Sequence, residues 1–159
     1  MDLADVYAAA RRAREVARVR QVVALRAMLA TGASQREAGR RLGVSQSAVS
    51  QQLSGARSLR DLDPALLVEA AGPVLTALAE EHGFGDVAVF GSTARGTAGP
   101  DSDVDLLVRS RGSASTFDLL RLRQTIEQVL DRPVDLVEAD GLTAGLDDDV
   151  RRDARPVAT

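Results

Sequence analysis

The chain lacks the residues and segments on which several classes of protein depend. Its 159 residues include no cysteine, which excludes disulfide bonds. The N-terminal residues show no signal-like apolar core, and no apolar run is long enough to cross a bilayer. Aromatic residues make up only 3% of the chain, and Phe84, Phe90 and Phe117 are all expected to lie in the core. These absences predict a soluble cytoplasmic protein that does not enter a membrane.

Lysine is also absent, so all 20 basic residues are arginines, and they are unevenly distributed. Residues 1–60 hold eleven arginines against four acidic residues, a net charge of +7. Residues 61–159 hold nine arginines against nineteen acidic residues, a net charge of −10. Such an asymmetry is typical of a nucleic-acid-binding module joined to a second unit of another kind.

The acidic part contains the densest motif, between Val87 and Val108. Its first residues, 87–90, form a short apolar run that predicts a buried strand, and Gly91-Ser92 then interrupts it. A glycine at this point lets a phosphate approach backbone N–H groups, and the serine hydroxyl can donate a further hydrogen bond. Arg95 follows at a distance suited to a phosphate oxygen. The sequence therefore predicts a phosphate-binding turn formed by Gly91, Ser92 and Arg95.

Two carboxylates follow this turn at a spacing suited to metal binding. Asp103 and Asp105 precede an apolar run over 106–108, so they belong to a second strand. Residues two apart on a strand project from the same face. Paired carboxylates of this kind can hold Mg²⁺, and two such ions can stabilise the attacking and leaving oxygens of an in-line displacement.

A third carboxylate interrupts the apolar run Val134–Val137. Burying the lone charge of Asp135 in such a strand would be costly without a compensating metal or donor. If this strand lies beside the strand of Asp103 and Asp105, Asp135 can complete the metal shell and accept the proton of an attacking hydroxyl.

These positions together resemble the nucleotidyltransferase signature of the DNA polymerase beta superfamily. The signature is Gly-Ser, ten residues, and Asp-x-Asp, followed by a later aspartate on a strand, and it covers residues 87–138. The resemblance implies that Gly91 and Ser92 hold a triphosphate, that Asp103 and Asp105 bind metals, and that Asp135 is the third catalytic carboxylate. It also implies two Mg²⁺ ions as cofactors and ATP as the nucleotide donor.

The shortness of the chain after this motif points to a particular group within the superfamily. About twenty residues follow residue 138, so a large acceptor-binding domain is not expected. The spacing resembles the minimal nucleotidyltransferases that act as antitoxins to HEPN-domain ribonuclease toxins. That resemblance implies transfer of AMP from ATP to a tyrosine of a protein partner.

The basic part carries a second motif, between residues 34 and 54. Ser34 and Glu37 form a capping-box pattern for a helix that runs to about Leu42, and Ser45 can cap a second helix after a turn at Gly43. The segment resembles a helix-turn-helix of the bacterial repressor type. Four polar residues would face base edges and three arginines would meet phosphates. These predicted DNA-binding residues are Gln46, Ser47, Ser50, Gln51, Arg36, Arg40 and Arg41. A small three-helix unit with solvated arginines would give the same pattern without binding DNA.

The predicted organisation is therefore an α+β chain of two domains. Residues 1–60 form an all-α helix-turn-helix domain, and residues 64–159 form a nucleotidyltransferase fold with a small mixed β-sheet flanked by helices. A long helix before the motif either packs within the chain or pairs with a second copy, as a palindromic operator would require.

Three functions are compatible with these residues. The first is a nucleotidyltransferase antitoxin that modifies a toxin and represses its own operon. The second is a DNA-binding regulator whose nucleotidyltransferase domain binds a nucleotide without transferring it. The third is a small-molecule nucleotidyltransferase of the aminoglycoside-modifying kind, which normally carries an additional acceptor domain.

Overall fold

The computed structural model describes all 159 residues and begins with three helices. Helix α1 spans Leu3–Ala30, α2 spans Gln35–Leu42 and α3 spans Gln46–Ser54. The Ser34 hydroxyl caps α2 and the Ser45 hydroxyl caps α3, each accepting a hydrogen bond from an N–H of the first turn. The predicted capping box at the start of α2 is incomplete. The Ser34 hydroxyl accepts from the Glu37 N–H, but the Glu37 side chain accepts no hydrogen bond from the Ser34 N–H in return.

The connection between α2 and α3 requires a glycine in the turn and a second one within α2. Gly43 ends α2 in the left-handed conformation, with φ of 71°. Gly39 lies where α2 meets the following turn, and a Cβ there would come within 2.7 Å of the Val44 carbonyl oxygen. The close approach of the two helices therefore excludes a side chain at position 39.

The remaining chain alternates helices and strands. After a 3₁₀ turn at Leu59–Asp61, the elements in order are α4 (Pro64–Glu81), β1 (Phe84–Phe90), α5 (Gly91–Arg95), β2 (Val104–Ser110), α6 (Thr116–Leu130), β3 (Val134–Glu138), a second 3₁₀ turn (Ala139–Gly141), α7 (Asp148–Asp153) and β4 (Arg155–Pro156). No helix has the length and apolar character needed to cross a membrane.

The four strands form one mixed sheet in the order β3-β2-β1-β4. Strand β1 pairs antiparallel with β2 on one side and with β4 on the other. Strands β2 and β3 are parallel, and α6 provides the crossover between them. A mixed sheet flanked by helices, after an N-terminal helical region, confirms the predicted fold class.

The hydrophobic core extends beyond the sheet and its covering helices into α1. Val16, Val19 and Val23 of α1 lie in the same cluster of buried residues as Leu75 of α4 and Leu106 of β2. A separate, smaller cluster joins α1 to α2 and α3 through Leu25, Ala38 and Val49. Helix α1 thus takes part in two cores, and the division of the chain at residues 60–64 remains a prediction.

One predicted core residue lies at the surface. Phe117 is 66% exposed at the start of α6, whereas Phe84 and Phe90 are buried. Its ring is in contact with the guanidinium of Arg121, one helical turn later, at 5.6 Å from the ring centroid. The expectation that Phe117 belongs to the core was wrong, because the helix turns this position away from the sheet.

Candidate active site

The parallel pairing of β2 and β3 places two of the three predicted carboxylates side by side. Asp105 of β2 is the register partner of Asp135 of β3. Paired positions on neighbouring strands point to the same face of a sheet and lie about 5 Å apart. The condition under which Asp135 was expected to join Asp103 and Asp105 is therefore met.

The carboxylates lie on the face of the sheet opposite the core. Val104, Leu106 and Val108 are fully buried, so alternate positions of β2 point into the core. Asp105, between two of them, points the other way and is half-buried. Asp103 lies in the loop immediately before β2 and is exposed.

Asp135 is also exposed, which differs from the assumption made from the sequence. The apolar run around it suggested that Asp135 is buried as well, but only its neighbours Val134 and Leu136 are buried. The cost of burying a charge is therefore no argument for a metal at Asp135. Its position beside Asp105 is the reason to include it in the candidate site.

Gly91 brings the turn after β1 against Asp105. Its φ is 66°, in the left-handed region that favours glycine. A Cβ at this position would lie only 2.2 Å from Oδ2 of Asp105. Ser92 follows in the first turn of α5, so the predicted phosphate-binding turn lies directly beside Asp105, one of the three predicted metal-binding carboxylates.

Arg95 lies at the end of α5 and forms an ion pair that the sequence analysis did not predict. Its Nη1 is 2.6 Å from Oδ2 of Asp153 in α7. The two residues are 58 positions apart, and Asp153 belongs to no recognisable motif, so no signal in the sequence linked them. More than half of the Arg95 side chain remains exposed and available to a second anion.

The negative charge of the site is only partly compensated. Burial raises the pKa of the Asp105 carboxyl, the neighbouring Asp135 and Asp103 raise it further, and Arg95 lowers it. Two adjacent carboxylates repel one another unless a cation lies between them. The site therefore favours a bound cation.

Divalent metal ions match the donors that are present. Three carboxylates offer the hard oxygen ligands that Mg²⁺ prefers. No set of three or more histidine, cysteine, aspartate or glutamate side chains is already gathered into a metal-ligand group. The donor chemistry and the raised pKa of Asp105 fit a metal, and Asp103 contributes a third carboxylate from the exposed loop before β2.

The helix-turn-helix presents its predicted DNA-binding residues to solvent. All seven predicted positions are exposed, while Val49 between them is fully buried and anchors α3 to α1 and α2. These positions are Gln46, Ser47, Ser50, Gln51, Arg36, Arg40 and Arg41. They form a polar and basic surface that is separate from the carboxylates of the sheet.

Comparisons with known proteins match both parts of the chain. The model of the nucleotidyltransferase domain family matches residues 74–156, and that of sigma-70 region 4 matches residues 17–60. The N-terminal helices are thus similar to the helix-turn-helix of sigma-70 region 4.

Two curated relatives are named for an activity. Protein adenylyltransferase MntA of Thermococcus cleftensis is 37% identical over 92 residues, which are 55% of this chain and 93% of the relative. A relative from Methanocaldococcus jannaschii, whose name also describes a protein adenylyltransferase, is 34% identical over 46% of this chain and 80% of its own length.

A solved structure supports the same fold. It is described as a minimal nucleotidyltransferase, and it matches with a TM-score of 0.54 and 38% sequence identity. The match covers 60% of this chain and 97% of the solved chain. The match of the family model to residues 74–156, together with these relatives, shows that the chain is an enzyme of the nucleotidyltransferase domain family.

Proposed function

We propose that the protein transfers AMP from ATP to a hydroxyl group of a partner protein. The observation that carries this proposal is the close approach of Gly91 to Asp105, which is itself the register partner of Asp135. A triphosphate bound at the turn would have its phosphates beside the carboxylates. The names of the two curated relatives, both protein adenylyltransferases, support a protein acceptor.

In the proposed reaction, Gly91, Ser92 and Arg95 bind the nucleotide and Asp135 accepts a proton. The Gly91 and Ser92 backbone N–H groups and the Ser92 hydroxyl donate to phosphate oxygens, and the free N–H groups of Arg95 add positive charge. The acceptor hydroxyl attacks the α-phosphorus, its bond to phosphorus forms, and the bond to the pyrophosphate leaving group breaks. Asp135 accepts the proton of the attacking hydroxyl.

Asp103, Asp105 and Asp135 would hold Mg²⁺. When bound, this metal would neutralise the charge that develops on the phosphate oxygens and leaving group. Within the chain, Asp105 has the central place, because it contacts Gly91 and is paired with Asp135.

We further propose that the acceptor is a HEPN-type toxin and that the chain is its antitoxin. The support is the likeness to minimal nucleotidyltransferases, together with a relative that is named MntA. Residues 64–159 would then form the catalytic domain, and residues 1–60 would form the DNA-binding domain that represses the operon.

The first experiment incubates the protein with the product of the neighbouring gene, Mg²⁺ and ATP, and measures the partner's mass. We expect a metal-dependent increase equal to one AMP group. Asp103→Asn should abolish it, because the metal loses a charged ligand. Asp101→Asn, in the same loop but at none of the fixed positions of the signature, is the matched control and should retain transfer.

A second candidate function is a regulator that binds a nucleotide without transferring it. The observation that favours it is that the three carboxylates are not already gathered into a metal-ligand group. ATP binding without an adduct on a tightly bound partner would favour this regulator over the transferase.

DNA binding by residues 34–54 can be measured independently of catalysis. We expect the protein to bind the DNA upstream of its own gene, with Gln46→Ala plus Gln51→Ala relaxing the preference over unrelated DNA. One good base contact is worth about 1–3 kcal/mol of discrimination. Asp103→Asn should bind the same DNA as the unaltered protein does, and an unchanged preference in the double variant would contradict this register of α3.

We also propose that two copies bind DNA together through the N-terminal part of α1. Leu3, Val6 and Tyr7 are exposed on one face of the helix, and the helical period places them on the side away from Val19 and Val23. In the single chain these three side chains therefore remain exposed. Light scattering should show a concentration-dependent dimer, and a monomer at every concentration would contradict the proposal.

A further inference from the structure

Arg132 is a buried cation without an acidic partner. Its exposure is 4%, and no carboxylate lies within ion-pair distance of its guanidinium. Its Nε has no hydrogen-bond partner either. A buried charge is costly unless other groups compensate it, so the contacts that Arg132 does make need an explanation.

The guanidinium is held by backbone carbonyl groups from two separate segments. Its Nη2 donates to the carbonyl oxygens of Leu59, Arg60 and Leu62 at 3.3, 2.9 and 3.2 Å. Its Nη1 donates to the carbonyl oxygen of Ser102 at 3.3 Å. The planar fork of one arginine thus joins the linker after α3 to the loop before β2.

That loop carries Asp103. Ser102 is the residue immediately before it, and the Ser102 hydroxyl also accepts a hydrogen bond from Gly99 N–H at 2.9 Å. Directly after Asp103, the Val104 N–H donates to the Pro133 carbonyl oxygen at 3.1 Å. The backbone on both sides of Asp103 is therefore tied to Arg132 and its neighbour.

We propose that Arg132 is a positioning residue, which fixes the Asp103 loop through Ser102 and anchors it on the linker from the DNA-binding helices. Arg132 does not touch the substrate. It acts by holding the backbone from which Asp103 reaches the metal, as groups around a metal's ligands commonly do. The inference rests on the proposed function, because it takes Asp103 to be a metal ligand.

The test compares ATP affinity with Mg²⁺ and with EDTA, measured by calorimetry for each variant. In the unaltered protein, Mg²⁺ should tighten ATP binding. Arg132→Lys and Arg132→Gln should lose about tenfold or more of this gain, as is typical when a group that supports a metal ligand is removed. Their ATP affinity in EDTA should stay within about twofold, because Gly91 and Ser92 are untouched.

A matched control comes from the neighbouring linker contact. Arg60 pairs with Asp131 through its side chain at 3.2 Å, while its carbonyl oxygen accepts from Arg132. Arg60→Ala removes the first contact, keeps the second and leaves Ser102 alone. It should therefore keep the full Mg²⁺-dependent gain.

Hydrogen exchange provides a readout that does not depend on metal or nucleotide. Exchange in the loop over residues 99–104 should be faster in Arg132→Lys than in the unaltered protein and unchanged in Arg60→Ala. Lysine keeps the positive charge, but its single nitrogen cannot hydrogen-bond both segments as the guanidinium does. This variant therefore tests the bridging hydrogen bonds without removing the cation.

The outcomes separate the two hypotheses. Unchanged loop exchange in folded Arg132→Lys overturns the positioning role, and so does an equal loss of ATP affinity with Mg²⁺ and with EDTA. If Mg²⁺ fails to tighten ATP binding in the unaltered protein, the metal role of Asp103 fails. In that case faster loop exchange still supports the anchoring by Arg132, but its link to metal binding is overturned.

Discussion

At the scale of single residues, the site depends on the absence of a side chain at Gly91. The glycine has a positive φ and approaches Asp105 so closely that a Cβ would overlap Oδ2. Sequence reasoning assigned Gly91 to phosphate binding. The structure adds that the same glycine leaves room for the carboxylate.

Gly91→Ala should abolish transfer and destabilise the fold. The alanine must displace the Asp105 carboxylate, and its strained backbone should cost about 1–3 kcal/mol. Gly96→Ala is the matched control, because Gly96 also has a positive φ, 74°, but nothing lies within 4 Å of its Cβ position. Urea unfolding and the AMP-transfer assay measure the two effects. Equal activity in both variants would contradict the close approach.

At the scale of elements, α6 has a complete capping box at its N-terminus. The Ser115 N–H and hydroxyl both donate to Oδ2 of Asp118, at 2.8 and 2.7 Å. The Ser115 oxygen accepts from the Asp118 N–H in return. These hydrogen bonds lower the pKa of the Asp118 carboxyl. Helix α6 is the crossover between β2 and β3, so the cap lies at the start of the helix that connects these two strands.

The cap should make stability depend on pH in a defined direction. Because the folded pKa of Asp118 lies below its unfolded value of about 3.9, its stabilisation is complete above that value. It is lost as the pH falls through the folded pKa. Asp118→Ala should therefore unfold at lower urea than the unaltered protein at pH 7, and this gap should narrow in acid. A gap independent of pH would show that the carboxylate charge does not act at the cap.

At the scale of the whole molecule, α1 joins the helix-turn-helix to the catalytic sheet. Val23 lies in the large core with the sheet, and Leu25, two residues later, lies in the small core with α2 and α3. Arg26 of the same helix donates to the carbonyl oxygens of Gln128 and Val129 at the end of α6. The two predicted domains thus share a structural element as well as a linker.

Unfolding should therefore be a single transition for both parts. Leu25→Ala, a large-to-small change at a 2% exposed position, should cost about 2–5 kcal/mol. The loss should appear in hydrogen exchange of both α3 and β2 near the urea midpoint. Leu42→Ala, at an exposed position of α2, is the control and should change little. If Leu25→Ala left the unfolding transition of β2 unchanged, the two parts would unfold independently.

The sequence by itself determined the elements and the residue types of the site. Periodicity, serine caps and turn glycines gave the helices around residues 34–54, because these signals act within a few residues of one another. The Gly-Ser and Asp-x-Asp spacing gave the enzyme family for a similar reason, since the motif is contiguous. The sequence predicted a place for Asp135 in the site only on the condition that its strand lies beside β2.

Only the tertiary structure shows that this condition is met, because the pairing of β2 with β3 depends on how α6, the crossover that connects them, packs on the sheet. It alone joined Arg95 to Asp153 and Arg132 to both the linker and the Asp103 loop, contacts between residues 30 to 73 positions apart. The tertiary structure also decided that Phe117 and Asp135 are exposed to solvent, because exposure depends on which face of a helix or strand is covered. Local signals fix elements because they act through neighbouring residues, whereas burial and pairing are set by parts of the chain that meet only on folding.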